Sequence, residues 1–203
     1  MRLASRLAVL ASLAASTLAA HAAPVTINFN TLGGANDSTF TTYSESGFTV
    51  SSQAGTFYVA SGGGSFGDPQ PDIFAEPSGT LAVTDAGGLF NFDSLDLGIF
   101  STVGGAADYT ITGFLNGTSV YTQTGSLSAN NSETFLTLDG THQSTSITSF
   151  TIALSGNDLG VNVDNIDLNT VAAAATPEPS TLALFGTGIL SLAGAARRKF
   201  SRS

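Results

Sequence analysis

From Val25 to Leu168 no stretch keeps the period of an amphipathic helix. Short runs rich in Val, Ile, Phe, Tyr and Thr alternate instead with clusters of Gly, Asn, Asp and Ser. Side chains on a strand point alternately to its two faces, and β-branched and aromatic residues suit a half-buried pleated surface, so this punctuation predicts many short strands joined by turns. The expected strands are 25–30, 47–52, 56–60, 80–84, 90–100, 107–115, 119–124, 133–138, 147–154 and 160–168. Alternation is clearest at Tyr109, Ile111 and Gly113 and at Phe150, Ile152 and Leu154, each set predicted to face a core. Asn116-Gly117 between two such runs is a hairpin signal, because both residues tolerate positive φ. The expectation is an all-β chain of two stacked antiparallel sheets. Residues 61–79, with Gly62-Gly63-Gly64 and prolines at 69, 71 and 77, read as a surface loop with at most a brief strand at Ile73 and Phe74.

Charge is distributed as unusually as the strands are. All six Lys and Arg residues lie in the first six or last seven positions, so 24–176 holds fourteen of the fifteen carboxylates and no Lys or Arg. Charged residues make up 10% of the chain against about 25% in a typical domain. A segment with no Lys or Arg has nothing to neutralise phosphates, which argues against nucleic-acid binding. It also offers no Schiff-base lysine and no arginine clamp for phosphoryl transfer. His142 is the one histidine beyond His21, and there is no cysteine, so multi-histidine cages, thiolate metal sites and disulfides are excluded.

The two ends read as addresses. Arg2 and Arg6 precede the apolar run Leu7 to Leu18, and Ala20-His21-Ala22 supplies the small residues a signal peptidase requires, so 1–22 is expected to be a signal peptide forming an N-terminal signal helix. At the other end Pro177-Glu178-Pro179 precedes an apolar, glycine-containing span over 180–196, and then Arg197-Arg198-Lys199. Its 17 residues reach about 26 Å as a helix, just short of a bilayer core of about 30 Å. The basic cluster would stay in the cytoplasm, which places the rest of the chain on the far side of the membrane, in agreement with the leader. The layout is a signal peptide at 1–22, a β-sandwich ectodomain at 24–170, an Ala-rich linker at 171–176 and a C-terminal signal at 177–203.

That order of Pro-Glu-Pro triplet, short span and basic terminus resembles the PEP-CTERM sorting signal of exported proteins in Gram-negative bacteria that make exopolysaccharide. The resemblance implies recognition and processing by a membrane-embedded exosortase. Pro177, Glu178 and Pro179 match the sorting motif, 182–196 the transmembrane helix, and Arg197, Arg198 and Lys199 the stop-transfer cluster; Phe200 to Ser203 extend past the usual end. The two prolines keep the backbone beside Glu178 extended, as a protease requires. The segments 90–97, 112–118 and 163–166 resemble parts of galactose-binding-like jelly rolls. This implies a jelly-roll-like antiparallel β-sandwich of about eight or nine strands and a lectin-like role.

Chemistry within the middle segment is sparse. His142 sits in the polar stretch Thr141-His142-Gln143-Ser144 with no nucleophile-elbow glycines, and the neighbouring carboxylates Asp93 and Asp96, Asp68 and Asp72, and Asp164 and Asp167 form no evident glycosidase pair. The expectation is a non-enzyme. Tyr43, Tyr58, Tyr109 and Tyr121 could face a sugar, but there is no Trp, and 14 Phe residues suit core packing better than a platform. Abundant oxygen ligands without Lys or Arg partners suit calcium, or are simply solvated. By its likeness to jelly rolls, a structural calcium is expected near Asn30 and Asp164, joining the first and last strands. The expected product is a structural or adhesive protein of the cell surface or biofilm matrix, with a carbohydrate-binding module for exopolysaccharide as the alternative.

Overall fold

The computed structural model describes residues 23–61, 71–99, 105–128, 135–156, 160–171, 185–189, 191 and 197. The chain divides into two units. One runs from His21 to Ala172; the other comprises Met1–Ala20 with Ala173–Ser203. The strands are β1 (Pro24–Ile27), β2 (Thr39–Phe40), β3 (Thr42–Glu45), β4 (Phe48–Ala60), β5 (Asp72–Asp85), β6 (Leu89–Ile99), β7 (Ala107–Leu115), β8 (Thr118–Leu127), β9 (Leu136–Asp139), β10 (Ser149–Ser155) and β11 (Val161–Val171). Every pairing is antiparallel, as the predicted run of short strands requires.

Two stacked antiparallel sheets were expected; the strands are all antiparallel and form one continuous sheet, in the order β8-β7-β10-β5-β11-β6-β9, curled over itself. The long hairpin of β4 and β5 makes this possible. The C-terminal half of β5, from Gly79, pairs with β10, whereas Ile73 to Ala75 pair with β11, so one strand serves both layers. β4 follows it through both halves, with its register broken between Ser52 and Ala54 and between Gly55 and Phe57. Pro77, which has no N–H for a ladder, falls in the second gap, among the exposed residues Glu76 to Ser78. The expected loop at 61–79 is thereby corrected, since Asp72 to Ala75 are strand residues buried on both faces.

The two layers meet through phenylalanine. Phe90 on β6 lies 5.0 Å from Phe48 on β4, edge to face, and Phe92 lies 5.1 Å from Phe150 on β10. Phe29, Phe48, Phe57, Phe90, Phe92 and Phe150 are all fully buried, each stabilising the fold by about 1.5–3 kcal/mol relative to exposure. Backbone bonds between Phe90 and Ile147 in both directions, at 3.0 and 2.8 Å, link the layers at a second place. The open ends of the sheet, β8 and β9, are pinned by Gln123. Its side chain donates to the carbonyl of Asp139 at 3.0 Å and accepts from the N–H and hydroxyl of Thr141 at 3.0 and 3.2 Å.

The predicted inward faces hold: Ile111, Phe150, Ile152 and Leu154 are buried and Tyr109 is half-buried. Asn116 and Gly117 turn β7 into β8 with φ of 51° and 81°, as the hairpin signal requires. Two glycines in this hairpin lie under rings of the opposite strand. Tyr121 covers Gly113 and Tyr109 covers Gly125, so that a Cβ at either glycine would clash with the tyrosine above it. Strands 25–30, 90–100, 147–154 and 160–168 appear with ends moved by a few residues, and 47–52 and 56–60 merge into β4. Strands β2 and β3, short and rich in Thr and Ser, lack the hydrophobic alternation that would have marked them.

Candidate functional site

The sorting tail is the first place sequence points to. Pro177, Glu178 and Pro179 lie outside the described residues, as do Arg198, Lys199 and the signal peptide at 1–22. Of the expected span, 185–189 and 191 are helical, as is Arg197 in the basic cluster, and the Ser191 hydroxyl donates to the carbonyl of Thr187 at 2.8 Å, one turn back. Among the described residues no helix is long and apolar enough to cross a membrane.

The β unit brings both of its ends to one edge. β1 pairs with β11 so that Pro24 stands opposite Asn169, and Thr170 donates its N–H to the carbonyl of Ala23 at 3.0 Å. The Ala23 N–H in turn reaches the Thr170 hydroxyl at 3.1 Å. The residue beside the expected signal-peptidase site is therefore bonded to the end of the last strand, so the first and last described residues of the β unit lie near each other.

Aromatic candidates resolve into packing. The Tyr43 hydroxyl is 2.8 Å from that of Thr31 and donates to Glu45 at 3.2 Å, with its ring against Phe29. Tyr58 stacks on Phe74 at 5.4 Å. His142, in the polar stretch 141–144, is half-buried and stacks on the Tyr121 ring at 4.6 Å. Burial raises the Tyr121 phenol to about 12, because the phenolate would be poorly solvated there. Each tyrosine is thus engaged by the fold, and none forms a free platform.

The two residues of the expected metal site lie in different surroundings. Asn30 is exposed, and its backbone N–H is taken by the Asn28 side chain at 3.1 Å. Asp164 is buried on β11, with one carboxylate oxygen accepting the N–H of Asn165 at 2.8 Å. Asp164 and Asp167 straddle a bulge, and Asp167 accepts from Thr26 and Ser94 rather than facing Asp164. Among the described residues no three His, Cys, Asp or Glu side chains are grouped to hold a metal.

Asn162, which the sequence pattern did not single out, meets Asp72 in the interior. Asn162 and Asp72 are 0% and 2% exposed, and the Asn162 amide donates to Asp72 at 2.9 Å across 90 residues. In Val161-Asn162-Val163-Asp164 the alternation reads as one wet face, and only the tertiary fold covers it.

No curated protein matches this sequence. A crystal structure of a DUF4465 family protein from Bacteroides caccae superposes with a TM-score of 0.51 at 11% identity, covering 72% of this chain and 98% of that one, which is a likeness of fold. A family 29 carbohydrate-binding module gives a TM-score of 0.36 at 14% identity, over 79% and 97% of the two chains. A family 11 module from a cellulosomal cellulase of Clostridium thermocellum gives 0.34 at 14% identity, over 76% and 98%. Residues 175–199 match the PEP-CTERM protein-sorting motif, so the chain is an all-antiparallel β protein that carries a PEP-CTERM sorting signal.

Proposed function

We propose that this is an exported protein delivered by an exosortase to the cell surface or to the exopolysaccharide matrix of a biofilm in a Gram-negative bacterium, where the β unit has a non-catalytic structural or adhesive role. The observation that carries the reading is the sorting motif at 175–199. A signal peptidase removes 1–22, the tail holds the precursor at the inner membrane through 180–196, and cleavage near Glu178 releases the β unit. The pairing of β1 with the end of β11 supports this route, since the points at which both membrane-directed segments join the β unit are neighbours. Release would remove all six basic residues and Glu178, leaving fourteen carboxylates and an acidic product that meets anionic polymers through bridging cations.

Substituting Pro177 and Glu178 tests the sorting step. The expected result is unprocessed precursor retained in the membrane fraction; unchanged processing and location would refute the assignment. Carbohydrate binding is the second reading, and a glycan array that includes the host's own polymer separates the two: specific binding favours a lectin-like module, and no binding favours a structural role.

A further inference from the structure

We infer that folding closes the leader-cleavage site: once β1 docks on β11 the signal peptidase no longer reaches the bond after Ala22, so the leader must be removed before the last strand is in place. This deepens the export reading and rests on 1–22 being a cleaved leader. Cleavage adds water to the Ala22 carbonyl carbon and breaks its bond to the Ala23 nitrogen, which leaves as an amine with a proton from that water. A protease takes such a bond in an extended segment whose main-chain N–H and C=O groups pair with the enzyme, as a strand added to a sheet edge does. Just beyond the bond those groups belong to Ala23, because Pro24 has no N–H.

Both groups are taken. The Ala23 N–H donates to the Thr170 hydroxyl at 3.1 Å, and the Ala23 carbonyl accepts from the Thr170 N–H at 3.0 Å and from the same hydroxyl at 3.1 Å. Ala23 and Pro24 are exposed as residues, so it is the backbone that is closed. Neither partner is loose. Thr170 stands opposite Phe90 of β6, which is fully buried. On β1, Val25 packs against the core and Ile27, opposite Ile166, is fully buried. Presenting Ala23 to an enzyme therefore means opening the β1–β11 pair. Thr170 follows Ala23 by 147 residues, so at about 5–20 residues per second of synthesis the site stays open for roughly 7–30 s after it is made. A chain that folds with its leader attached keeps it.

The test uses the full chain, made without export so that it keeps its leader, folded in mild detergent and given purified signal peptidase. A synthetic peptide of residues 10–30 in the same detergent is the open reference. The peptide is expected to be cut after Ala22 and the folded chain at least about tenfold more slowly, since each of the three hydrogen bonds contributes a factor of about 2–13. Thr170→Val removes the hydroxyl and two of those bonds and should speed cutting of the folded chain by about fivefold or more, whereas Thr170→Ser keeps the hydroxyl and stays slow. Equal rates for peptide and folded chain overturn the inference, whether or not the variants fold. So does a folded Thr170→Val chain cut no faster than wild type. A peptide that is not cut after Ala22 refutes the leader reading itself, and the inference falls with it.

Discussion

Placing a methyl group on Gly113 tests the packing that joins the β7–β8 hairpin to the core. A Cβ built there would lie 2.3 Å from Tyr121 Cε1, 2.5 Å from Cζ and 2.9 Å from Cδ1, all well inside van der Waals contact. The ring has little room to retreat: Tyr121 is 6% exposed and His142 stacks on it at 4.6 Å. Overpacking of this kind costs about 1–3 kcal/mol. Replacing glycine in a strand returns about 0.5–1 kcal/mol by restricting the unfolded backbone, so Gly113→Ala should lose roughly 0.5–2 kcal/mol net. At about 2–4 °C per kcal/mol for a domain of this size, Tm should fall by roughly 1–8 °C. Thermal and urea denaturation, repeated in a Tyr121→Val background that removes the ring, isolates the contact as a double-mutant cycle. In that background the same alanine should be neutral or stabilising by about 0.5–1 kcal/mol. Equal losses in both backgrounds would show that the ring is not what Gly113 accommodates, and the argument would fail.

Other expectations follow from the same geometry. The Tyr121 hydroxyl is buried without a hydrogen-bond partner, so Tyr121→Phe should leave stability unchanged or raise it by about 1 kcal/mol in urea melts, and a loss beyond 1 kcal/mol would reveal a partner. Folded Tyr121 keeps its proton until about pH 12, whereas the unfolded phenol releases it near 10; between those values the unfolded state binds fewer protons, and wild-type stability should fall with rising pH relative to Tyr121→Phe. Parallel pH profiles across that window would contradict it. Gln123→Leu strips three hydrogen bonds from the β8–β9 seam and should cost about 1–3 kcal/mol, with faster amide exchange at Thr141; unaltered exchange there would count against the pin. Gly117 has φ of 81° and open space around it, so Gly117→Ala should cost about 1 kcal/mol through backbone conformation alone, read as a shifted urea midpoint with an unchanged slope.

Local chemistry carried much of the architecture. The β7–β8 hairpin was legible in its first strand and its turn, because alternation and an Asn-Gly turn are short-range signals, while β8 runs past the expected 119–124 to Leu127. The sorting signal was legible for a similar reason: the motif match at 175–199 rests on residues adjacent in the chain. The β4–β5 corner was not legible. Asp72-Ile73-Phe74-Ala75 is buried on both faces, so alternation is lost, and the neighbouring prolines make the segment read as loop.

By itself the sequence determined which residues favour extended backbone, where the chain turns, and that the two basic ends are separated by a long acidic segment. These are properties of near neighbours and of composition. Tertiary structure alone decided that one sheet curls into both layers, that Gln123 closes its seam, and that Asn162 meets Asp72 across 90 residues. The physical reason is that strand pairing places distant residues side by side. Whether a polar side chain ends in water or in a buried contact depends on which strands flank it and what covers the face, and neither is set by the residues next to it in the chain.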